Sequence, residues 1–239
     1  MKTGRLAVIG DGKMGKSVAE VAREQGWEVT VVLGPGETKG GKGITAAALG
    51  NADVAVEFTE PAAAAANISA CLRAKVPVVV GTTGWYDALP EVTRVVEETG
   101  TGLLWAPNFS LGVNVFLEVA RYAASLIRAS EGFDAHIVEI HHTRKKDAPS
   151  GTAGALAREA SAGLGRAVPI TSVRTGDVPG THELIFDGPH EQLTVTHVAR
   201  DRRVFAEGAV RAAGWLVGRS GVFTMKDVLG AETAGTRKP

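Results

Sequence analysis

The sequence contains a single cysteine, Cys71, so no disulfide can form within the chain. A lone thiol is typical of a reducing compartment, and we interpret Cys71 as a small core residue of a helix rather than a nucleophile. Lysine and arginine together number 26, as do aspartate and glutamate, so the formal net charge is zero. This balance does not favour nucleic acid or an anionic membrane surface as a partner.

Long apolar runs are also missing, since none approaches the ~20 residues that a membrane helix requires. The first apolar run, Leu6–Ile9, is too short for the hydrophobic part of a signal peptide and stops at a glycine. We therefore expect a cytoplasmic protein with no membrane partner. Aromatic residues make up only 5% of the chain, whereas glycine occurs 30 times, a bias typical of α/β proteins with tight strand-to-helix turns.

The first part of the chain alternates strand-like with helix-like segments. Short apolar runs predict buried strands at Arg5–Ile9, Glu28–Leu33, Asp53–Phe58, Val76–Val80 and Thr101–Ala106. Helical spacing predicts helices at Gly15–Gln25 and from about Pro61 to Arg73. This alternation predicts a Rossmann-like parallel sheet with helices on both faces, and ligands of such sheets bind at the carboxyl ends of the strands.

The pattern changes after Asn108. A long predicted helix, Val113–Ile127, is followed by predicted strands at Ala135–His141, His182–Phe186 and Gln192–Val198, and by a final helix at Gly208–Val217. We therefore predict an α/β fold with two domains. Residues 1–110 plus 212–239 form the dinucleotide-binding domain, and residues 111–211 form a second, α+β domain with a mostly antiparallel or mixed open sheet.

Three glycines, Gly10, Gly12 and Gly15, form the pattern G-x-G-x-x-G between the first predicted strand and helix. The first allows the turn, the second lets the backbone approach a pyrophosphate, and the third lets helix and strand pack closely. The context predicts a dinucleotide site that consists of Gly10, Asp11, Gly12, Lys13, Met14 and Gly15. A glycine-rich turn without a ligand remains the alternative.

The preferred dinucleotide depends on the end of the second predicted strand. Domains that prefer NAD usually carry an acid there to hold the ribose hydroxyls, but Val32–Pro35 contains none, and Glu37 lies in a glycine-rich loop. Lys13 is available to pair with a 2′-phosphate, with help from Lys39 and Lys42. These observations favour NADPH slightly and leave the choice open, since Lys13 is equally typical of a solvated helix start.

The most informative stretch is Glu139–Thr152, which reads EIHHTRKKDAPSGT. Ser150 is a good N-cap for a following helix, and the amides of Gly151 and Thr152 would then face a carboxylate at the helix N-terminus. Cations beside a histidine suit an anionic substrate and lower the pKa of the imidazole.

Metal binding is a competing interpretation of the adjacent histidines, His141 and His142. Neighbours on a strand point to opposite faces, so the two need not share a role. The surrounding side chains are basic, and no Cys, Asp or Glu stands at ligand spacing, so we predict no metal. A purely structural role for both histidines stays open.

The stretch resembles the signature of the 4-hydroxy-tetrahydrodipicolinate (dihydrodipicolinate) reductase family, E-x-H-H-x-x-K-x-D-A-P-S-G-T. It matches at Glu139, His141, His142, Lys145 and Asp147–Thr152. Further family-like segments are Gly10–Gly15, Phe58–Pro61, Gly81–Gly84, Asn108–Asn114, Arg174–Gly176, Gly180–Glu183 and Phe205–Arg211. The resemblance covers most of the chain, and Glu57 departs from it because the family usually has Asp there.

The resemblance implies NADPH- or NADH-dependent reduction of a small cyclic dicarboxylate, 4-hydroxy-tetrahydrodipicolinate, to tetrahydrodipicolinate and water on the diaminopimelate route to lysine. It implies His141 as the acid/base group and Lys145 as the second catalytic group. It also implies a homotetramer built through the sheet of the second domain, which would then serve substrate binding and oligomerisation.

The resemblance also implies how the ligands are held. The substrate carboxylates would meet His142, Ser150, Gly151 and Thr152, with Arg211 as a weaker candidate. The nicotinamide and its ribose would lie along Gly81, Thr82, Thr83, Ala106, Pro107, Asn108 and Phe109.

Two other functions remain as alternatives. Another amino- or imino-acid dehydrogenase, such as an aspartate dehydrogenase, would share the glycine turn but would not require the stretch Glu139–Thr152. A non-catalytic nucleotide sensor would keep the fold, but it would not require both His141 and Lys145.

Overall fold

The computed structural model describes residues 3–130 and 132–233. Residues 1, 2, 131 and 234–239, which fall within the predicted domains, lie outside the described residues. The chain divides into two compact units, residues 1–109 with 205–239, and residues 110–204. The predicted boundary at residue 211 instead falls inside a helix, Arg203–Leu216, because its residues Ala206, Ala209 and Val210 are buried in the core of the first unit.

The first unit is built on a parallel sheet of six strands in the order β10-β5-β4-β3-β1-β2. The strands are β1 (Arg5–Ile9), β2 (Glu28–Leu33), β3 (Val54–Glu57), β4 (Val78–Val80), β5 (Gly102–Trp105) and β10 (Gly221–Phe223). This sheet confirms the predicted Rossmann-like α/β fold.

Helices cover both faces of this sheet. They are α1 (Lys13–Glu24), α2 (Pro35–Thr38), α3 (Pro61–Arg73), α4 (Leu89–Thr99), α7 (Arg203–Leu216) and α8 (Met225–Thr233), with a 3-10 turn at Tyr86–Ala88. Successive residues of β1 enter opposite cores: Val8 packs in one apolar cluster and Ile9 in the other. Burial on both faces explains why β1 and β4 are continuous apolar runs in the sequence.

Two sequence predictions for this unit have clear outcomes. Cys71 is fully buried in the core between α3 and the sheet, as predicted, and burial raises the pKa of its thiol. The prediction that the last helix is Gly208–Val217 is wrong, because β10 and α8 follow it. A strand of three residues is too short for its periodicity to be recognised.

No helix among the described residues has the length and apolar character needed to cross a membrane.

The second unit contains a mixed sheet of four strands in the order β7-β6-β8-β9. The strands are β6 (Asp134–His141), β7 (Ile170–Arg174), β8 (Thr181–Asp187) and β9 (Gln192–Val198). Strand β7 runs parallel to β6, and the other two pairs are antiparallel. Helices α5 (Leu111–Ile127) and α6 (Gly151–Leu164) pack against each other and contribute to the core on one face of the sheet.

The buried face of this second sheet is organised in rows of register partners that cross the strands. An apolar row consists of Ile170, Ile137, Leu184 and Val195. Because side chains alternate between faces, the next row on the same face lies two residues along each strand. That row consists of Ser172, Glu139, His182 and His197. The apolar core therefore borders directly on a row of polar side chains.

Candidate active site

The glycine turn of the first unit joins β1 to α1. Gly10 has φ +110, and a Cβ on it would lie 2.0 Å from the carbonyl oxygen of Phe58. A Cβ on Gly15 would lie 1.8 Å from the carbonyl oxygen of Gly10. A Cβ on Gly12 would meet nothing within 4 Å. The fold therefore requires two of these glycines, whereas Gly12 borders open space, as the predicted pyrophosphate site requires.

Helix α1 begins at Lys13 with Gly12 as its N-cap, and no side chain caps it. Its first-turn amides are therefore available to an anion, which the positive end of the helix dipole also favours. Asp11 and Lys13 are exposed beside this helix start, and Met14 packs partly buried against the core.

The other predicted cofactor residues follow β4 and β5 at the same edge of the parallel sheet. After β4, the amide of Gly81 donates to the carbonyl oxygen of Glu57 at 2.9 Å. The buried Thr82 accepts a hydrogen bond on Oγ1 from the amide of Thr59 at 2.7 Å. After β5, the ring of Phe109 packs edge-on against Phe58 at 6.1 Å. Thr83, Pro107 and Asn108 are exposed or half-buried, and Ala106 is buried.

The unusual Glu57 is fully buried at the end of β3, beneath these segments. Burial raises the pKa of its carboxyl group, and hydrogen bonds, the strongest from the hydroxyl of Thr59, reduce that rise. The carboxyl group thus connects the turn after β3 to its own strand. Through the Thr59 amide it is also linked to Thr82.

The carboxylates of Glu37 and Asp11 lie at the end of β2, where no acid was predicted. Glu37 Oε2 accepts a hydrogen bond from the amide of Gly34 at 2.9 Å, because α2 folds the loop back on the strand end. A Cβ on Gly34 would lie 2.8 Å from Asp11 Oδ2 and 3.0 Å from Glu37 Oε2. Lys42, which was predicted to assist Lys13 at a 2′-phosphate, lines a groove along α3 together with Arg73.

A buried carboxylate is the centre of the polar cluster in the second unit. Glu139, on β6, has no exposed surface. Its Oε1 accepts a hydrogen bond from Arg174 Nη2 on β7 at 2.7 Å. Its Oε2 is hydrogen-bonded to Nδ1 of His141, two residues further along β6. The carboxylate therefore joins a permanent cation to the predicted acid/base group.

Burial and hydrogen bonding shift the pKa of Glu139 in opposite directions, and the same is true of His141. Burial alone would raise the pKa of Glu139, but hydrogen bonds with Arg174, Ser172 and His141 outweigh it and hold the pKa at about 2. Burial lowers the pKa of His141, Glu139 opposes this, and Lys145 adds to it. The predicted lowering is therefore confirmed, although burial and not the neighbouring cations is its main cause.

A neutral His141 that donates from Nδ1 to Glu139 carries its lone pair on Nε2. No protein hydrogen bond to Nε2 occurs among the described residues. A Cβ on Gly180 would lie 3.0 Å from this atom, so glycine at that position leaves room beside it. The ring thus presents one nitrogen for proton transfer while the other is fixed.

Ser150 is the N-cap of α6, as predicted, and its Oγ accepts a hydrogen bond from the amide of Ala153 at 3.1 Å. The same Oγ lies 3.1 Å from Nε2 of His182 on β8. A Cβ on Gly151 would meet nothing within 4 Å, so open space adjoins the helix start. The ring of His182 packs edge-on against His141, with centroids 5.1 Å apart.

Lys145 and His142 lie in the segment between β6 and α6. Lys145 Nζ is 2.8 and 2.9 Å from the two carboxylate oxygens of Asp147. Arg174 Nη2 also donates to the carbonyl oxygen of Asp147 at 2.6 Å, which ties this segment to the buried carboxylate. The amide of His142 donates to the carbonyl oxygen of Val178 at 2.8 Å. Thr152 is half-buried in the first turn of α6.

Three residues of this cluster had no role predicted from the sequence: Glu139, Arg174 and His182. Glu139 was within reach of sequence reasoning, because residues i and i+2 of a strand share a face. Arg174 and His182 stand in segments that resembled the family, but pairing them with β6 requires the strand register.

The cluster also brings together three side chains of the kinds that bind metal ions. Ligand atoms of Glu139, His141 and His182 lie within 4.8 Å of one another, so the statement that no acidic residue stands at ligand spacing is wrong. Both oxygens of Glu139 are nevertheless hydrogen-bonded, and Nε2 of His182 is bonded to Ser150. These partners favour an oriented acid/base group over a metal site.

The glycine turn yields a paired prediction. We expect Gly12→Ala to leave the thermal unfolding midpoint unchanged and to weaken NADH binding by about tenfold or more, because the new methyl group occupies the space for the pyrophosphate. Gly15→Ala should instead cost about 1–3 kcal/mol of stability through overpacking. Thermal unfolding and fluorescence titration with NADH measure both effects. Unaltered NADH affinity in Gly12→Ala would contradict the assignment of the turn.

The buried His182 predicts a pH-dependent stability. Burial, and next the repulsion from His141 when that ring is protonated, lower its pKa from 6.5 to about 4. The unfolded chain therefore binds the proton first, and stability is lost as the pH falls from 6.5 towards 4. Between pH 7 and about pH 5 this loss is on the order of 2 kcal/mol.

Replacing His182 by Phe should remove this contribution to the pH dependence, as measured by urea unfolding at both pH values. His136→Gln is the matched control, because His136 lies in the same sheet on the opposite face, where it bonds to Thr171. Equal pH dependence in the wild type and the His182→Phe variant would refute the prediction.

Comparison with known proteins addresses both units. A family model described as "Dihydrodipicolinate reductase, N-terminus" matches residues 4–109, and one described as "Dihydrodipicolinate reductase, C-terminus" matches residues 112–229. The 4-hydroxy-tetrahydrodipicolinate reductase of Christiangramia forsetii is 35% identical over 94% of this chain and 97% of its own. That of Thiobacillus denitrificans is 37% identical over 95% and 98%.

Among solved structures, the fold is similar to that of a dipicolinate-bound dihydrodipicolinate reductase from Paenisporosarcina sp. TG-14. The two share a TM-score of 0.78 and 23% identity over 93% of this chain and 98% of that one. The matches to both halves and the identities over nearly the whole length agree with each other. The chain belongs to the dihydrodipicolinate reductase family.

Proposed function

We propose that this protein catalyses the NAD(P)H-dependent reduction of 4-hydroxy-tetrahydrodipicolinate to 2,3,4,5-tetrahydrodipicolinate and water, on the diaminopimelate route to lysine. The observation that carries the proposal is the neutral His141, oriented by the buried Glu139 in the same cluster as the N-terminus of α6. Membership of the family over both units supports it. No feature of the described residues favours the aspartate dehydrogenase or the nucleotide sensor.

The residues of the first unit fit a dinucleotide. Gly12 leaves space for the pyrophosphate, and the uncapped start of α1 provides amide donors. Gly81, Thr82 and Thr83 after β4, and Ala106, Pro107, Asn108 and Phe109 after β5, would hold the nicotinamide and its ribose. The cofactor supplies the hydride, and the chain supplies position and charge.

In the second unit, one substrate carboxylate is bound at the start of α6 by Ser150 and the amides of Gly151 and Thr152, and His142 would also contact a substrate carboxylate. Hydride addition leaves negative charge on the conjugated substrate, so a proton donor and a cation must be close. His141 first takes up a proton from water at Nε2, which gives the imidazolium form that Glu139 stabilises, and then donates this proton to the reduced substrate. Lys145 contributes the cation that lies beside this ring.

We also propose that NADH is the preferred cofactor, which reverses the slight preference drawn from the sequence. Glu37 and Asp11 flank Gly34 at the end of β2, where the adenosine ribose of a bound dinucleotide lies. Their carboxylates can accept hydrogen bonds from ribose hydroxyls, and they would repel a 2′-phosphate.

We also propose that the protein is a cytoplasmic homotetramer and that it binds no nucleic acid. The face of the second sheet opposite α5 and α6 is open and partly apolar, with Val173 and Val198 exposed by 37% and 59%. Such a face is typical of an oligomer interface. Sedimentation equilibrium measures the assembly, and a monomer at micromolar concentration would argue against it.

The decisive test supplies the substrate with dihydrodipicolinate synthase, pyruvate and aspartate semialdehyde, and follows cofactor oxidation. We expect substrate-dependent oxidation in the wild type. We expect His141→Gln to lower kcat by about a hundredfold or more, because proton transfer is worth that much, with the Kd for NADH nearly unchanged. His136→Gln is the control and should retain activity. Absence of substrate-dependent oxidation from a folded protein that binds NADH would refute the proposed reaction.

The cofactor preference is tested with Glu37→Gln, which keeps an oxygen to accept from Gly34 but removes the charge. We expect wild-type protein to bind NADH more tightly than NADPH, and the variant to lose about tenfold of that preference. Fluorescence titration gives both dissociation constants. Tighter NADPH binding in the wild type, weakened selectively by Lys13→Ala, would instead support the preference drawn from the sequence.

A further inference from the structure

His182 is a buried polar residue to which the proposed chemistry assigns no role. It is 4% exposed, and it lies between Glu139 and His197 in the polar row of the second sheet. Its imidazole packs edge-on against His141 and is bonded at Nε2 to Ser150 Oγ. Its Nδ1 is buried and has no hydrogen-bond partner among the described residues.

The position of its single proton follows from these contacts. Burial keeps the imidazole neutral at ordinary pH, so only one ring nitrogen carries hydrogen. A proton on Nδ1 would leave a buried N–H without an acceptor, and orphaned buried donors are rare and costly. A proton on Nε2 is donated to Ser150 Oγ instead and leaves only an unpaired acceptor at Nδ1.

This arrangement fixes the hydrogen bonding of Ser150. A serine oxygen has two acceptor sites and one proton. One acceptor site receives the amide of Ala153, as the N-cap geometry requires, and the other receives His182 Nε2–H. The hydroxyl proton must therefore be donated, and open space adjoins the helix start at Gly151.

We propose that His182 is a positioning residue that makes the Ser150 hydroxyl an obligatory hydrogen-bond donor to a substrate carboxylate at the start of α6. This inference rests on the proposed function and extends it to specificity. Once both acceptor sites of Ser150 are filled, the serine binds a carboxylate oxygen and cannot accept from an N–H group. The site therefore selects a dicarboxylate over the corresponding amide.

The test measures dipicolinate binding by calorimetry, because this planar dicarboxylate is named as the ligand of the related solved structure. We expect His182→Phe and Ser150→Ala each to weaken binding by about tenfold, the usual effect of one hydrogen bond to a charged group. The double variant should bind no more weakly than either single variant, because the two residues act through one hydrogen bond.

His182→Gln is the conservative variant, since its amide group can donate in place of Nε2, and it should restore most of the affinity. KM for the substrate should rise in His182→Phe while kcat stays within about threefold. His136→Gln should bind dipicolinate like the wild type. Unchanged NADH affinity in every variant would show that the first unit is intact.

Additive losses in the double variant, or equal losses for Gln and Phe at position 182, would overturn the inference and leave His182 with a packing role. If His182→Phe does not fold, the wild type and Ser150→Ala decide together: wild-type protein should bind dipicolinate at least about tenfold more tightly than its monoamide, and this preference should shrink in Ser150→Ala. A wild type that neither binds dipicolinate nor turns over substrate refutes the proposed function. If the wild type binds dipicolinate and the His182 variants bind it equally tightly, only the inference about His182 is refuted.

Discussion

The buried ion pair between Glu139 and Arg174 is the interaction on which the active site of the second unit depends. A carboxylate without any exposed surface is costly unless it is paired and hydrogen-bonded. Arg174 meets this requirement and also bonds the carbonyl oxygen of Asp147, so the same guanidinium anchors the segment that carries Lys145. Glu139 uses its second oxygen to orient His141. Loss of either partner would leave a buried charge uncompensated, and the geometry of the acid/base group would be lost with it.

The position of the cluster follows from strand alternation and register. One face of the second sheet is apolar through Ile137 and Leu184 and becomes polar at Glu139 and His182, one row further along. The apolar row packs with α5 and α6, so Glu139 and His182 are buried although they lie at the end of the core. Because buried polar groups need hydrogen-bond partners, Glu139 is bonded to Arg174 and His141, and His182 is bonded to Ser150.

The sequence predicted the strands of the first sheet, and β1 and β2 have the predicted bounds because runs rich in apolar and β-branched residues are bounded there by glycines. It missed β7, whose residues alternate between half-buried and exposed. The motif identified His141 and the N-cap Ser150. It did not identify the pairing of Arg174 and His182 with β6, because register depends on turns and on the opposing strand. Glu37 was misjudged for a related reason, since a four-residue helix returns it to the strand end.

We propose that the two units bind anions by different means, one at an uncapped helix start and the other at a capped one. The first unit would use backbone: Gly12 borders open space, and the uncapped amides of α1 would be available to an anion, so the helix dipole would supply the positive charge there. The second unit caps α6 with Ser150, which takes one amide away from a ligand. A capped helix start can still bind a carboxylate if the capping hydroxyl donates its proton, and a second donor to the serine oxygen leaves donation as the only role of that hydroxyl. His182 stands where such a donor is needed, and its burial keeps it from competing for the substrate itself.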